Sequence, residues 1–157
     1  MQRYHTEMTL LPWRSFSIGL AVATLTWPAR ADMEACVKQA ARRYQVDERL
    51  IRAIIQVESS GNPSALNHNA DGTEDIGPMQ INSSWLPVLG RYGIQRRHLD
   101  DPCTNVHVGA WVLAGNIARY GYIWRAVGAY NAKSCSKRQG YVAKVWRRYQ
   151  ASGAAES

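Results

Sequence analysis

The chain has 157 residues, 46% hydrophobic and 20% charged, with a formal net charge of +7. That length suits one domain around one core, and the composition excludes an intrinsically disordered chain. Trp and Tyr are plentiful, at 6 and 8, whereas Phe occurs once; aromatic rings with a polar tip suit a wet binding groove as well as a core.

Residues 1–31 read as an export signal. Arg3 and Arg14 make a basic start, and Phe16 to Trp27 is an apolar run of twelve residues, short of the about 20 that span a bilayer. Pro28 breaks the run, and Ala29-Arg30-Ala31 places small residues where a signal peptidase reads them, which predicts cleavage after Ala31. The competing reading is an uncleaved interfacial anchor. Residues 32–150 then form the domain and 151–157 a flexible tail. Without residues 1–31 the charge falls to +5. An exported domain of that charge meets anionic cell wall or lipid surfaces rather than nucleic acid, although +5 serves solubility equally well. Three cysteines remain, Cys36, Cys103 and Cys135. One disulfide and one free thiol is the simplest arithmetic; with no Cys-x2-Cys or His-x3-His pair, no zinc site is expected.

Met33, Val37, Ala40, Ala41 and Tyr44 recur at helical spacing and predict a helix over 33–44. Asp47 is a plausible N-cap for a second helix from Glu48 to Ser59, stopped by Gly61 and Pro63. Residues 61–76 keep no helical period, and Asn69-Ala70-Asp71-Gly72 is a turn signal for a small hairpin or irregular loop. Ser83 or Ser84 can cap a short helix through Leu89. Asp101-Pro102 opens a longer one that carries Val106, Ala110, Leu113 and Ile117 inward and ends near Gly121. Two more helices are expected, over 123–130 and 141–149. The fold class is α+β and mostly α-helical, with a small β-hairpin or loop insertion.

On a helical wheel the second helix gathers Arg49, Arg52 and Gln56 on one side and Leu50, Ile51, Ile54 and Ile55 on the other. Glu58 falls near the middle of the apolar arc, where the pattern calls for a core residue. Desolvation raises a carboxyl's pKa, and a carboxyl that holds its proton near neutral pH can act as a general acid on a glycosidic bond. Glu58 is therefore the candidate catalyst. Two bland readings compete: a bond to orphan backbone groups of a neighbouring helix, or exposure at a frayed end. Asn67, Asn69, Asp71 and Gly72 match the opening of a calcium-binding EF-hand loop, but its twelfth position is Pro78 instead of Glu, so no calcium site is expected. The four histidines (5, 68, 98 and 107) are scattered. The basic run from Lys144 to Arg148 shares a helix with Tyr141, Val145 and Tyr149 and reads as a solvated face.

Glu58-Ser59-Ser60-Gly61-Asn62-Pro63, then Gly77-Pro78-Met79-Gln80-Ile81-Asn82, then Ala129-Tyr130-Asn131-Ala132 follow one another as three motifs. Together they resemble the lytic transglycosylases of the soluble-lytic-transglycosylase (goose-type lysozyme-like) superfamily. The closer likeness is to its specialised members that accompany secretion, conjugation and pilus systems, a likeness that Asp101-Pro102-Cys103 and Gly109-Ala110-Trp111 share. The resemblance covers about residues 35–149 and implies a lysozyme-like fold. It implies that Glu58 is the acid/base and that Ser59 orients its carboxyl. Met79 and Gln80 would line a sugar groove, Tyr130 would bond near the carboxyl, and Asn131 would contact substrate. Cys36 and Cys103 would form a disulfide, leaving Cys135 without a partner.

The activity implied is cleavage of the β-1,4 bond between N-acetylmuramic acid and N-acetylglucosamine in peptidoglycan, closing a 1,6-anhydro ring, without metal or cofactor. The expected enzyme is a periplasmic monomer that acts on glycan strands, possessing no nucleic-acid partner and serving assembly of a secretion, conjugation or pilus machine. Asp75 is the best candidate for a second carboxylate, against a plain reading as a loop or capping residue. A hydrolytic lysozyme and a non-catalytic glycan-binding assembly protein are the rival readings. Two residues depart from the family pattern: Pro78 stands where Leu is usual, and Lys133 where Gly follows Tyr-Asn-Ala. Proline removes a backbone donor and fixes φ, so a shift of the groove floor is expected at Pro78.

Overall fold

A computed structural model describes residues 29–121, 123–131 and 135–154. The expected export signal lies outside them up to residue 28, as do Lys133 and the side chain of Cys135. Among the described residues the chain forms six α-helices and one three-stranded sheet: α1 (Ala29–Tyr44), α2 (Glu48–Ser59), β1 (Leu66–His68), β2 (Glu74–Ile76), β3 (Ile81–Asn82), α3 (Leu86–Leu89), α4 (Pro102–Tyr120), α5 (Ile123–Asn131) and α6 (Cys135–Ala154). No described helix is long and apolar enough to cross a membrane.

The α2 helix has the predicted bounds. The Asp47 carboxylate accepts from the Arg49 amide at 2.8 Å, satisfying one of the orphan donors of the first turn. At the other end Ser60 takes the left-handed conformation, φ 55°, and its N–H bonds to the Ile55 carbonyl, so the stop begins one residue before Gly61. Leu50, Ile51, Ala53, Ile54 and Ile55 are all buried. They meet Val106, Ala110 and Leu113 of α4, Val127 of α5 and Val145 of α6 in one core, into which the sheet region sends Ile76, Met79 and Ile81. Around that core α1 packs on α4, α2 on α6, and α5 on both α4 and α6. A disulfide joins Cys36 to Cys103, tying α1 to the first turn of α4. Asp101 caps α4 by accepting from the Thr104 amide at 2.8 Å, with Pro102 in the first turn, as the sequence predicts.

The hairpin turns at the expected residues: the Asn69 amide donates to the Thr73 carbonyl at 2.8 Å and the Gly72 amide to the Asn69 carbonyl at 3.0 Å. Gly72 has φ +80°, a conformation that favours glycine. The strands pair antiparallel, Leu66 opposite Ile76 and Asn67 opposite Asp75, and β3 adds a third strand with Ile76 opposite Ile81.

Several elements differ from expectation. The short helix after the sheet is capped by Asn82, whose side chain accepts from the Ser84 amide at 2.9 Å, and not by Ser83 or Ser84. A 3-10 turn over 96–100 had no signal in the sequence; Arg96 fastens it to the hairpin through Glu74 at 2.7 Å. The last helix starts at Cys135 and continues to Ala154, well into the segment expected to be a tail. It is held at that end by Tyr149, which donates to Asp47 at 2.6 Å and lies under the Arg49 guanidinium, 4.4 Å from the ring centroid.

Candidate active site

Glu58 is the last acidic residue of α2, one turn beyond its buried stripe, and is half-buried where the helical body meets the sheet. Beside it opens a groove of about 770 Å³. The sheet lines one side with Asn67, Asn69, Asp75 and Asn82, Gln80 and Ile81 form its floor, and Trp85, Val112, Tyr130 and Asn131 come from the helical side. The walls are rich in amides and carboxylates, with two aromatic rings. Such a surface suits a hydroxyl-rich ligand that also offers apolar ring faces.

Burial is the main influence on the Glu58 carboxyl, and it pushes the pKa up; Asp75 across the groove pushes the same way. Hydrogen bonds from Tyr141 and Asn131, and the charge of Lys144, act against that rise without cancelling it. Tyr141 donates to Glu58 Oε1 at 2.6 Å, and the Asn131 amide lies at 3.5 Å from the same oxygen. The Tyr141 hydroxyl is pushed far up by burial and by Glu58, so it remains a proton donor to the carboxylate across the physiological range. One oxygen of Glu58 is thus held, and the carboxyl is biased toward keeping its proton: the state a general acid needs.

The residues singled out from the sequence are distributed unevenly. Gln80 and Asn131 line the groove. Tyr130 lines it too, but its hydroxyl donates to the Met79 carbonyl at 3.0 Å; the phenol bonded to Glu58 is Tyr141, eleven residues later. Ser59 does not touch the carboxyl: its hydroxyl turns back to the Ile55 carbonyl at 3.1 Å, the bond open to a serine in the last turn of a helix. The Met79 side chain is fully buried and does not reach the groove. It packs against Gly109, where an added Cβ would come within 2.3 Å of its sulfur. Asp75 is a strand residue and not a turn or cap, and its carboxylate accepts from Asn69 at 2.9 Å and Asn82 at 2.8 Å.

Residues 77–80 form a tight turn, with the Gln80 amide donating to the Gly77 carbonyl at 3.0 Å. Pro78 occupies the second position of that turn, where its fixed φ is an advantage and no amide donor is required. The expected disturbance of the groove floor by proline therefore does not arise from a lost bond. Below the turn lies Asn105 of α4, fully buried. It accepts from the Met79 amide at 3.0 Å and donates to the carbonyls of Ile76 at 2.7 Å and Leu99 at 3.1 Å. Gly77 has φ +72°, and a Cβ there would come within 2.3 Å of the Asn105 amide. Neither Asn105 nor Tyr141 was singled out as functional in the sequence. The signal for Asn105 was an amide at helical spacing from Val108, Gly109 and Val112; for Tyr141 it was a hydroxyl heading the stripe Tyr141, Val145, Tyr149.

Among the described residues no three His, Cys, Asp or Glu side chains gather as a metal site. In the 67–72 loop, Asp71 accepts from the Thr73 hydroxyl at 2.7 Å and Asn69 donates to Thr73 and Asp75, so its polar groups serve the turn.

Residues 35–147 match the family model described as the Transglycosylase SLT domain. The chain is also similar to the invasion protein IagB of Salmonella typhimurium, 42% identical over 120 residues that cover 73% of this chain and 75% of that one. Protein IpgF of Shigella flexneri is 39% identical over 125 residues, 76% of this chain and 80% of its own. The X polypeptide of Escherichia coli K12 is 38% identical over 121 residues, 73% and 72% of the two chains. A family match over well more than half of the sequence, on a helical body with a three-stranded sheet and an acid at the end of a groove, makes this chain a member of the transglycosylase SLT domain family, with its lysozyme-like fold.

Proposed function

We propose that the protein is a peptidoglycan lytic transglycosylase with Glu58 as its acid/base. The observation that carries this reading is the half-buried Glu58 carboxyl, pushed up by burial, bonded to Tyr141 and opening onto the groove. Protonated Glu58 gives its proton to the oxygen between N-acetylmuramic acid and N-acetylglucosamine, and the C1–O bond breaks. The N-acetyl carbonyl of the muramic acid stabilises the cationic C1, so no enzyme nucleophile is needed. Glu58, now ionised and held by Tyr141 and Asn131, takes the proton of the C6 hydroxyl as O6 bonds to C1. The product carries a 1,6-anhydro ring, no water is consumed, and the carboxyl ends protonated, ready for another cycle.

One observation favours a second reading. Asp75 faces the groove as a carboxylate held by two amides. A carboxylate so placed could stabilise a cationic sugar, as in a hydrolytic lysozyme. Product mass spectrometry on purified sacculi separates the two. The transglycosylase gives 1,6-anhydro ends, each lighter by one water than a reducing end, and a spectrum dominated by reducing ends establishes the lysozyme. Glu58→Gln keeps the shape and removes the titratable proton. A folded Glu58→Gln variant that still clears sacculi removes Glu58 from the chemistry.

The biological setting belongs to the same proposal. The protein is exported to the periplasm with cleavage after Ala31, acts as a monomer, and opens the wall locally during assembly of a secretion, conjugation or pilus machine. Similarity to a protein named for invasion supports that setting. N-terminal sequencing of protein recovered from a periplasm tests the export step.

A further inference from the structure

Glu58 stands between two cavities. One is the groove on the sheet side. The other, about 330 Å³, opens on the α6 side between Val57, Asn131, Lys137, Gly140, Tyr141 and Lys144, with Glu58 in its wall. Lys137 borders both cavities. Lys137 and Lys144 are seven residues apart on α6, two helical turns, and so share a face. Both are exposed, and among the described residues neither forms a salt bridge. The described length of α6 contains no Asp or Glu to balance them.

Cations beside a general acid work against it. Lys144 lowers the Glu58 pKa that burial raises, because a positive neighbour favours the ionised carboxyl. Their placement makes chemical sense if the substrate brings an anion to that cavity. A peptidoglycan strand has one: the muramic acid whose glycosidic bond is cut carries a lactyl group on C3, and through it a stem peptide with free carboxylates. The stem leaves the strand at the sugar that must sit against Glu58.

We propose that Lys137 and Lys144 bind the carboxylates of the stem peptide on the muramic acid at the cleaved bond, making the protein selective for peptide-bearing strands over denuded glycan. The selectivity rests on the proposed peptidoglycan-cleaving function. It also supplies a coupling, since a stem carboxylate seated by Lys144 offsets that charge and returns Glu58 toward its protonated form.

The test compares two substrates, peptide-bearing glycan strands and the same strands denuded by an amidase. Wild type should favour the peptide-bearing strands in kcat/KM, and added sodium chloride should erode that preference, as it does for exposed charge pairs. In Lys137→Gln/Lys144→Gln the ratio of the two kcat/KM values should fall about tenfold, mostly through KM, each exposed ion pair contributing about twofold to fivefold. The double Arg variant, which keeps both charges, should retain most of the ratio. The direct effect of the lysines on Glu58 is present with both substrates and divides out, so the ratio reads only what they do through the stem, the coupling included. A wild type without preference, or a Gln variant with an unchanged ratio, overturns the assignment of the lysines while leaving the cleavage reaction standing. A wild type that cuts neither substrate overturns the proposed function, and this inference with it.

Discussion

Replacing Asn105 with leucine should unfold the floor of the groove at a cost out of proportion to its size. The side chains are similar in volume, so packing changes little. Three buried hydrogen bonds disappear, to the Met79 amide at 3.0 Å and to the carbonyls of Ile76 at 2.7 Å and Leu99 at 3.1 Å. Asn105 is fully buried, so water cannot replace them without opening the core. A buried polar group left without its partner costs about 1–3 kcal/mol, and three such groups, partly offset by the easier desolvation of leucine, come to about 4 kcal/mol. That is a large share of the about 5–15 kcal/mol that holds a typical domain. Urea unfolding followed by tryptophan fluorescence, with the disulfide intact in both proteins, is the assay. At a slope of about 2 kcal/mol per molar, the midpoint should drop by about 2 M. A loss below about 1 kcal/mol would refute the view that this amide clasps the 77–80 turn to α4.

Three further outcomes are expected. In Tyr141→Phe the ring still fills its site, but Glu58 loses the 2.6 Å bond that stabilises its ionised form; the alkaline limb of the kcat/KM profile should move to higher pH, and a limb that stays or moves down contradicts the assigned donor. Glu58 has a folded pKa raised above its ordinary 4.5, so its contribution to stability is fully present below that value and is lost as pH rises through the folded pKa. Relative to wild type, Glu58→Gln should therefore gain stability between pH 4 and pH 8 in paired urea titrations, and a difference that is flat or opposite in sign with pH counts against the buried, proton-holding carboxyl. Finally, Cys36→Ser/Cys103→Ser opens a loop with a sequence separation of 67, worth about 4 kcal/mol in the chain-entropy model; calorimetry should find a lower Tm with activity kept below the transition, and an unchanged Tm would show that the bridge constrains nothing.

The helices were legible because their signals are local. Asp47 and Asp101 are caps that read as caps, and the α2 stripe places Glu58 on the core-facing arc by periodicity alone. The three motifs then named the family. What remained hidden depends on side chains meeting across long separations. Tyr141 and Tyr130 are both tyrosines on the helices after the groove, and only their packing decides that Tyr141 bonds Glu58 while Tyr130 bonds the Met79 carbonyl. Met79 lies in a groove motif, yet the space left by Gly109 draws its side chain into the core. Ser59 follows the acid in sequence, but on a helix the next residue points about 100° away, and its hydroxyl found a carbonyl one turn back. The two-residue strand β3 is too short for an alternating pattern, and it exists because the Gly77–Gln80 turn folds it onto β2.

The Tyr141–Glu58 bond spans 83 residues, from the second helix to the last. A ribosome delivers α2 long before α6, so the emerging chain holds a bare carboxyl whose donor has not yet been made. The same late helix brings Tyr149 to cap-residue Asp47 and to Arg49, so α2 is clamped at both ends by α6. In the proposed mechanism the acid therefore depends on a helix made long after its own. A chain truncated ahead of residue 141 lacks the donor to Glu58, and any cut or misfolding of α6 changes the surroundings of that carboxyl without touching it.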